Sequence, residues 1–355
     1  MYEELHSKEA EPRRQGGRAR SIFSVSASGR SSPVQQEDTH DVVLPMRTGL
    51  RVHEVPYGLQ LAGITTGYRL GGTYMDCLKT LFTWHNQTLN SWTMIFGWLV
   101  SCCMLSWSWQ QLRPSGMDLV AFLALWLCPT LHLPFTVGYH QFLCISPEVL
   151  RRWRALDVAF IFIASIPLTF ALSYFVLPLP YSAALTAVTL GLSLHAWHNA
   201  AALPAAADID KKANTRYVGY VVLVYTFPIL LQAALDLAAV LGLGGGGGDG
   251  AGAAAADNDI LVSSGSGAAH LSYAHVPLYD RLYSVKCAAA IVFCFVYAGA
   301  TYVSCFPDIY APGYFDHVGA AQQLMHLGVA GAHAVEWLFA IHMVQRRRLH
   351  AASLG

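Results

Sequence analysis

Seven apolar stretches dominate the chain, at about residues 91–111, 117–139, 156–177, 181–203, 217–242, 284–305 and 321–344. A membrane-spanning helix needs about 20 mostly apolar residues. In hydrocarbon, a helix satisfies every backbone polar group within its own segment. The expected fold is therefore all-α: a polytopic membrane protein with a seven-transmembrane helix bundle. Only 12% of the 355 residues are charged, where soluble domains carry about 25%. The formal net charge is zero, which argues against a nucleic-acid partner.

The remaining sequence falls around these runs. Residues 1–55 are rich in Ser, Gly, Arg and Glu and read as a disordered tail. Residues 56–345 form the membrane domain. Within it, Thr73 to Thr83 has apolar positions at helical spacing, predicting a short amphipathic pre-membrane helix. Residues 243–270 are Gly-rich and read as a flexible insertion. Residues 346–355 read as a C-terminal tail. The eight cysteines show no C-x-x-C spacing, so no zinc knuckle or disulfide framework is indicated. No secretory signal peptide is expected, because the first long apolar run starts near Trp92.

Basic residues concentrate in the tail, after the second span (Arg151, Arg152, Arg154) and after the fourth (Lys211, Lys212, Arg216). The positive-inside rule then puts the N-terminus in the cytoplasm and, with seven spans, the C-terminus on the opposite side. Arg346, Arg347 and Arg348 run against this rule. The sequon at Asn86 falls on the cytoplasmic side, where no glycan is expected.

Polar groups that can bind a metal or move a proton are costly inside a bilayer. His140 closes the second run, Asp157 opens the third, His195 and His198 close the fourth, and His326 lies a turn into the seventh. On the expected topology all share one membrane depth. Zinc takes neutral imidazole nitrogens, with an open position in catalytic sites. Each residue also has a plainer reading. An interfacial His is often simply hydrogen-bonded, an Asp before an apolar run is a common N-cap, and Gln322 and Gln323 suit helix–helix hydrogen bonds. His333, deeper in the last run, reads as a second polar core residue.

Four ordered blocks are similar to the progestin and adipoQ receptor family, which includes the adiponectin receptors and is related to haemolysin III proteins. They are VPYGLQLAGITTGYRL (55–70), HNQTLNSWT (85–93), TVGYHQFLCISPEVLRRWRALD (136–157) and YVSCFPDIYAPGYFDHVGAAQQLMH (302–326). The resemblance covers about residues 52–345. It implies a zinc site within the bundle near the cytoplasmic leaflet. By position His140 and His326 are two zinc ligands, Asp157 holds a zinc-bound water, and Thr136 stands where the family has Ser. The third family ligand, a His, is Gln322 here, preceded by Ala321, and Met94 replaces another family His. An amide oxygen is a poor zinc ligand beside imidazole. Three outcomes stay open: zinc completed by Gln322 or water, replacement of the lost ligand by His195 or His198, or loss of the metal.

The resemblance implies a membrane receptor for a lipid, steroid or protein hormone, linked to ceramide or sterol signalling. The alternative is a zinc-dependent hydrolase of ceramide-type amides, with Asp157 as general base. A transporter and a metal-free scaffold are further classes, and homo-oligomers fit any of them.

Overall fold

The computed structural model describes residues 44–201, 211–243, 261–263, 268–270 and 278–354. Residues 1–43 of the expected tail, and most of the Gly-rich insertion, lie outside the described residues. The chain opens with strand β1 (Arg47–Leu50), which pairs antiparallel with β2 (Tyr68–Leu70). Residues 47–54, read above as the end of a disordered tail, are therefore structured. Leu50, Val55, Ile64, Tyr68 and Ala320 form a small buried cluster that holds them.

Next come α1 (Tyr74–Lys79), α2 (Thr88–Leu112), α3 (Gly116–Phe142), α4 (Pro147–Tyr174), α5 (Leu179–Ala201), α6 (Lys211–Val240), α7 (Leu278–Ser304) and α8 (Ala321–Leu354). Strands β3 (Leu261–Ser263) and β4 (Ala268–His270) pair within the insertion. The expected amphipathic pre-membrane helix over Thr73–Thr83 is not confirmed; the stretch holds the six-residue α1. Thr73 caps α1 through a reciprocal bond with Asp76, and the helix gives way at Thr80 to a 3-10 turn, Thr80–Phe82.

Among the described residues six helices are long and apolar enough to cross a membrane: α2, α3, α4, and the Thr215–Val240, Leu282–Ser304 and Ala321–Leu349 parts of α6, α7 and α8. This corrects the expected seven. The run near 181–203 forms α5, whose 23 residues include Tyr181, Ser182, two threonines, His195 and His198. These dilute its apolarity. The helix lies antiparallel along α4: Thr169 and Thr189 hydroxyls meet at 2.9 Å, and Ser193 donates to the Phe162 carbonyl at 3.1 Å.

Two helix ends differ from expectation in a way that moves the site. Ser146 caps α4 by accepting from the Val149 N–H at 3.2 Å. Asp157 therefore lies well inside α4 and is not its N-cap, and Arg151, Arg152 and Arg154 sit on helix. At the other end α8 continues through the expected tail. Arg346 pairs with Asp236 at 3.0 Å, Arg347 with Asp118 at 2.8 Å, and Arg348 donates to the Leu112 carbonyl. Arg346 and Arg347 pair with carboxylates of the bundle, so their weight as topogenic loop charges falls.

The core joins all seven long helices around Phe122, Phe175, Ile229 and Trp337. Polar clusters pin it at intervals. Asp236, on α6, accepts from Arg346, Ser284 and Gln232. His333 Nδ1 lies 2.6 Å from Glu336 Oε2, and its Nε2 lies 3.9 Å from Cys128 Sγ. This agrees with a polar core role for His333. At Gly138, on α3, an added Cβ would lie 2.1 Å from the Trp153 ring, so the close packing of α3 on α4 depends on that glycine.

Candidate functional site

One end of the bundle is closed by two distant parts of the sequence. Residues 44–87 pack on the α7–α8 connection. The Asp316 carboxylate accepts from Thr65 N–H (2.8 Å), Thr65 Oγ1 (2.9 Å) and Thr66 Oγ1 (2.6 Å). Asp308 accepts from the Ala321 N–H at 2.9 Å and so caps α8. Trp84 stacks on His317 with ring centroids 5.6 Å apart. Gln323 donates to the His317 carbonyl and accepts from Gly319 N–H. Arg69 is buried. It donates to the His140 carbonyl at 2.9 Å, to Gln141 Oε1 at 3.2 Å, and to Thr80 Oγ1.

Electrostatics follow from this burial. Burial pushes the His85 imidazole down to about 3, and the Arg69 guanidinium adds to the effect. Burial opposes charge on Asp316, yet the Thr66 and Thr65 donors hold its carboxyl below the ordinary carboxylate value. For Asp308, burial outweighs the Ala321 N–H and raises the carboxyl.

These shifts give a signed expectation. A depressed folded pKa stabilises above the unfolded value, about 3.9 for Asp, and is lost as pH falls through the folded value. The raised Asp308 acts in the opposite direction, favouring the cap as it protonates. Amide exchange at Thr65 and Thr66 should therefore accelerate below about pH 4, and Asp316→Asn should remove that acid-dependent step. Unchanged pH dependence in the variant would assign it elsewhere.

Beneath the cap, α3 and α8 bring His140 and His326 together, ring centroids 5.2 Å apart and planes at 76°. His140 is fully buried and His326 nearly so. His140 Nδ1 lies 2.8 Å from Gln87 Oε1. That oxygen can only accept, so Nδ1 carries the proton and Nε2 the lone pair. His326 Nδ1 lies 3.0 Å from Thr93 Oγ1, whose own hydrogen goes to the Asn90 carbonyl. The same assignment follows for His326. His140 Nε2 is buried without a hydrogen-bond partner. Ligating histidines characteristically fix their other ring N–H in this way. Thr136 is buried one turn from His140 along α3.

The other candidates behave differently. Asp157 Oδ1 is held by His132 Nε2 at 3.0 Å. Gln322 lies near the Tyr139 side chain. His195 and His198 are exposed on α5, with His195 against the Tyr217 ring. Neither is brought to His140. Among the described residues no group of three or more His, Cys, Asp or Glu side chains is placed to hold a metal. His132, Gln87 and Thr93 were not singled out from sequence. The spacing of His132, Thr136 and His140 at successive fours puts all three on one face of α3 and is the signal that could have found His132.

The fit to zinc is thus specific at two positions. His140 and His326 offer imidazoles with the protonation, burial and anchoring that a metal ligand needs.

Fold and site define an all-α multi-pass membrane protein whose helical bundle is capped over a buried imidazole pair. The chain is 33% identical over 101 residues to progestin and adipoQ receptor family member 3 of Mus musculus, covering 27% of this chain and 32% of that protein. The same figures hold for the Homo sapiens protein of that name. The match thus spans about a third of the length of these curated relatives. No family model matches the chain.

Proposed function

We propose that this chain is a membrane receptor of the progestin and adipoQ receptor type, responsive to a lipid or steroid ligand. The N-terminus is assigned to the cytoplasm, and zinc to His140 and His326. The observation that carries the reading is the His140–His326 pair, with Nδ1 of both rings anchored and His140 Nε2 unpartnered in a buried setting. The similarity to the curated relatives supports the same assignment.

Within this reading each residue has a defined task. Gln87 and Thr93 orient the two imidazoles. Arg69 fixes the end of α3 through the His140 carbonyl. The cap keeps bulk water from the pair. Bound there, zinc would supply a Lewis acid able to polarise a ligand oxygen. An apolar groove of about 290 Å³ lined by Leu78, Ile95, Leu133, Pro134, Val137, Gly138 and Phe142 runs beside the α3 turns that carry His132 and His140. Its lining suits an acyl chain or a steroid ring better than a protein hormone. The ceramide-hydrolase reading has less support, because it needs the Asp157 carboxylate for water and His132 already holds it.

Metal analysis of full-length protein purified without chelators should find about one zinc per chain, as for a mononuclear site, and His140→Ala should abolish it. Folded wild-type protein without zinc would remove the metal and leave a metal-free receptor. In lipid nanodiscs, a steroid or ceramide-type lipid should raise the melting temperature. If neither class shifts it, the lipid-ligand reading fails. Fatty-acid release from ceramide that depends on Asp157 would instead establish the hydrolase.

A further inference from the structure

Cys77 and Cys144 touch across the seam between the pre-membrane segment and the bundle. Their Sγ atoms are 3.6 Å apart, although the residues are 67 positions apart in sequence. Both are free thiols and both are buried. Cys77 sits on α1, and Cys144 follows the last turn of α3. The surrounding wall is Tyr139, Phe142 and Leu143, with Tyr74 packed edge-on against Phe142 at 4.8 Å. The Gly71 N–H donates to the Cys144 carbonyl at 2.9 Å, so backbone contact reinforces the thiol contact.

Arg69 gives the pair a chemical polarity. Its guanidinium interacts with both sulfurs, Cys144 before Cys77. The hydrogen bond from Cys77, and then Arg69 against the opposing burial, draw the Cys144 thiol below its ordinary value. The corresponding shift of Cys77 is upward, chiefly through Cys144. Cys144 is thus the more acidic of the two thiols. A nearby cation and a second thiol are the conditions under which a cysteine becomes reactive rather than inert.

We propose that Cys77 and Cys144 are a two-electron modification site, oxidised by a hydroperoxide to a disulfide that staples the pre-membrane segment to the end of α3. The Cys144 thiolate attacks the peroxide: an S–O bond forms, the O–O bond breaks, and the departing hydroxide takes a proton to become water. The Cys77 sulfur then attacks the Cys144 sulfenic acid. An S–S bond forms, the S–O bond breaks, and the leaving hydroxide takes the Cys77 proton. Two thiols are oxidised and one peroxide is reduced to two waters. Access requires α1 to lift. α1 is six residues long, too short for much stability of its own. Arg69 links the two places: it acts electrostatically on both thiols and donates to the His140 carbonyl. Oxidation therefore fixes the cap beside the imidazole pair.

The test uses reduced full-length protein in nanodiscs, treated with hydrogen peroxide and mapped by non-reducing mass spectrometry. A Cys77–Cys144 linked peptide should appear in most chains and disappear on adding a thiol reductant. Trypsin should then cleave at Lys79 several-fold more slowly in the oxidised protein than in the reduced protein. In Cys77→Ser, where no disulfide can close, a dimedone adduct should accumulate on Cys144. The proposal is overturned if both cysteines of the treated wild-type protein remain alkylatable by N-ethylmaleimide after denaturation.

Discussion

Arg346→Met is expected to lower the stability of the bundle by about 3–5 kcal/mol, the range for leaving one member of a buried ion pair alone. Arg346 is 3% exposed and Asp236 is fully buried, and the guanidinium reaches both carboxylate oxygens at 3.0 Å. Ser284 and Gln232 complete the shell around Asp236. Removing the cation leaves a carboxylate in an apolar core, with two neutral donors that cannot balance its charge. Thermal unfolding in detergent should show a large drop in midpoint. The double variant Arg346→Met, Asp236→Leu should recover most of it, since replacing both charges by apolar groups is often neutral or better. If the double variant is no more stable than the single one, the loss came from packing of the arginine stem and not from the orphaned charge.

The second large effect belongs to the cap. Gly63 has φ +77°, and a Cβ there would lie 2.3 Å from the backbone carbon and oxygen of Asp308. Gly63→Ala therefore combines a left-handed backbone, at about 1–2 kcal/mol, with a clash against main chain that has no rotamer to yield. Overpacking of this kind adds about 1–3 kcal/mol. The bond from Gly313 N–H to the Gly63 carbonyl, 3.1 Å long, should break with it. Hydrogen exchange should report lost protection across residues 60–70 and 308–319 while α4–α7 remain protected. Uniform loss through the bundle would show that cap and helices unfold together.

The long helices were legible because hydrocarbon imposes a length and a composition that few other structures share. Their ends were less so. Three consecutive arginines after Gln345 look like a tail. The groups that bury two of them, Asp236 and Asp118, lie 110 and 229 residues away. Nothing local announces them. Asp157 looked like a cap because it precedes an apolar run, but the helix had already begun at Pro147, capped by Ser146. The polar and basic residues between form an amphipathic first half that hydropathy alone discards. α5 shows the reverse error, a helix counted as a span although its polar positions, some on neighbouring helices and some exposed, lower its apolarity.

The site was half legible for a related reason. His140 and His326 were marked by motif, and α3 and α8 bring them together. What surrounds them comes from elsewhere. Gln87 and Thr93 approach from α2 and the turn before it, and His132 captures Asp157 from two turns along α3.

The clasp between Asp316 and Thr65 and Thr66 joins groups 250 and 251 residues apart. Its first half leaves the ribosome before any long helix, and its second half only as the last one begins. Contacts of such separation close last, because the intervening chain must first be ordered. The cap therefore acts as a seal on assembly. Through most of biosynthesis the imidazole pair is incomplete, and residues 44–87 have the end of α3 as partner but not the α7–α8 connection. Site, lid and final helix are thus completed in a single late event, after the other long helices have been made.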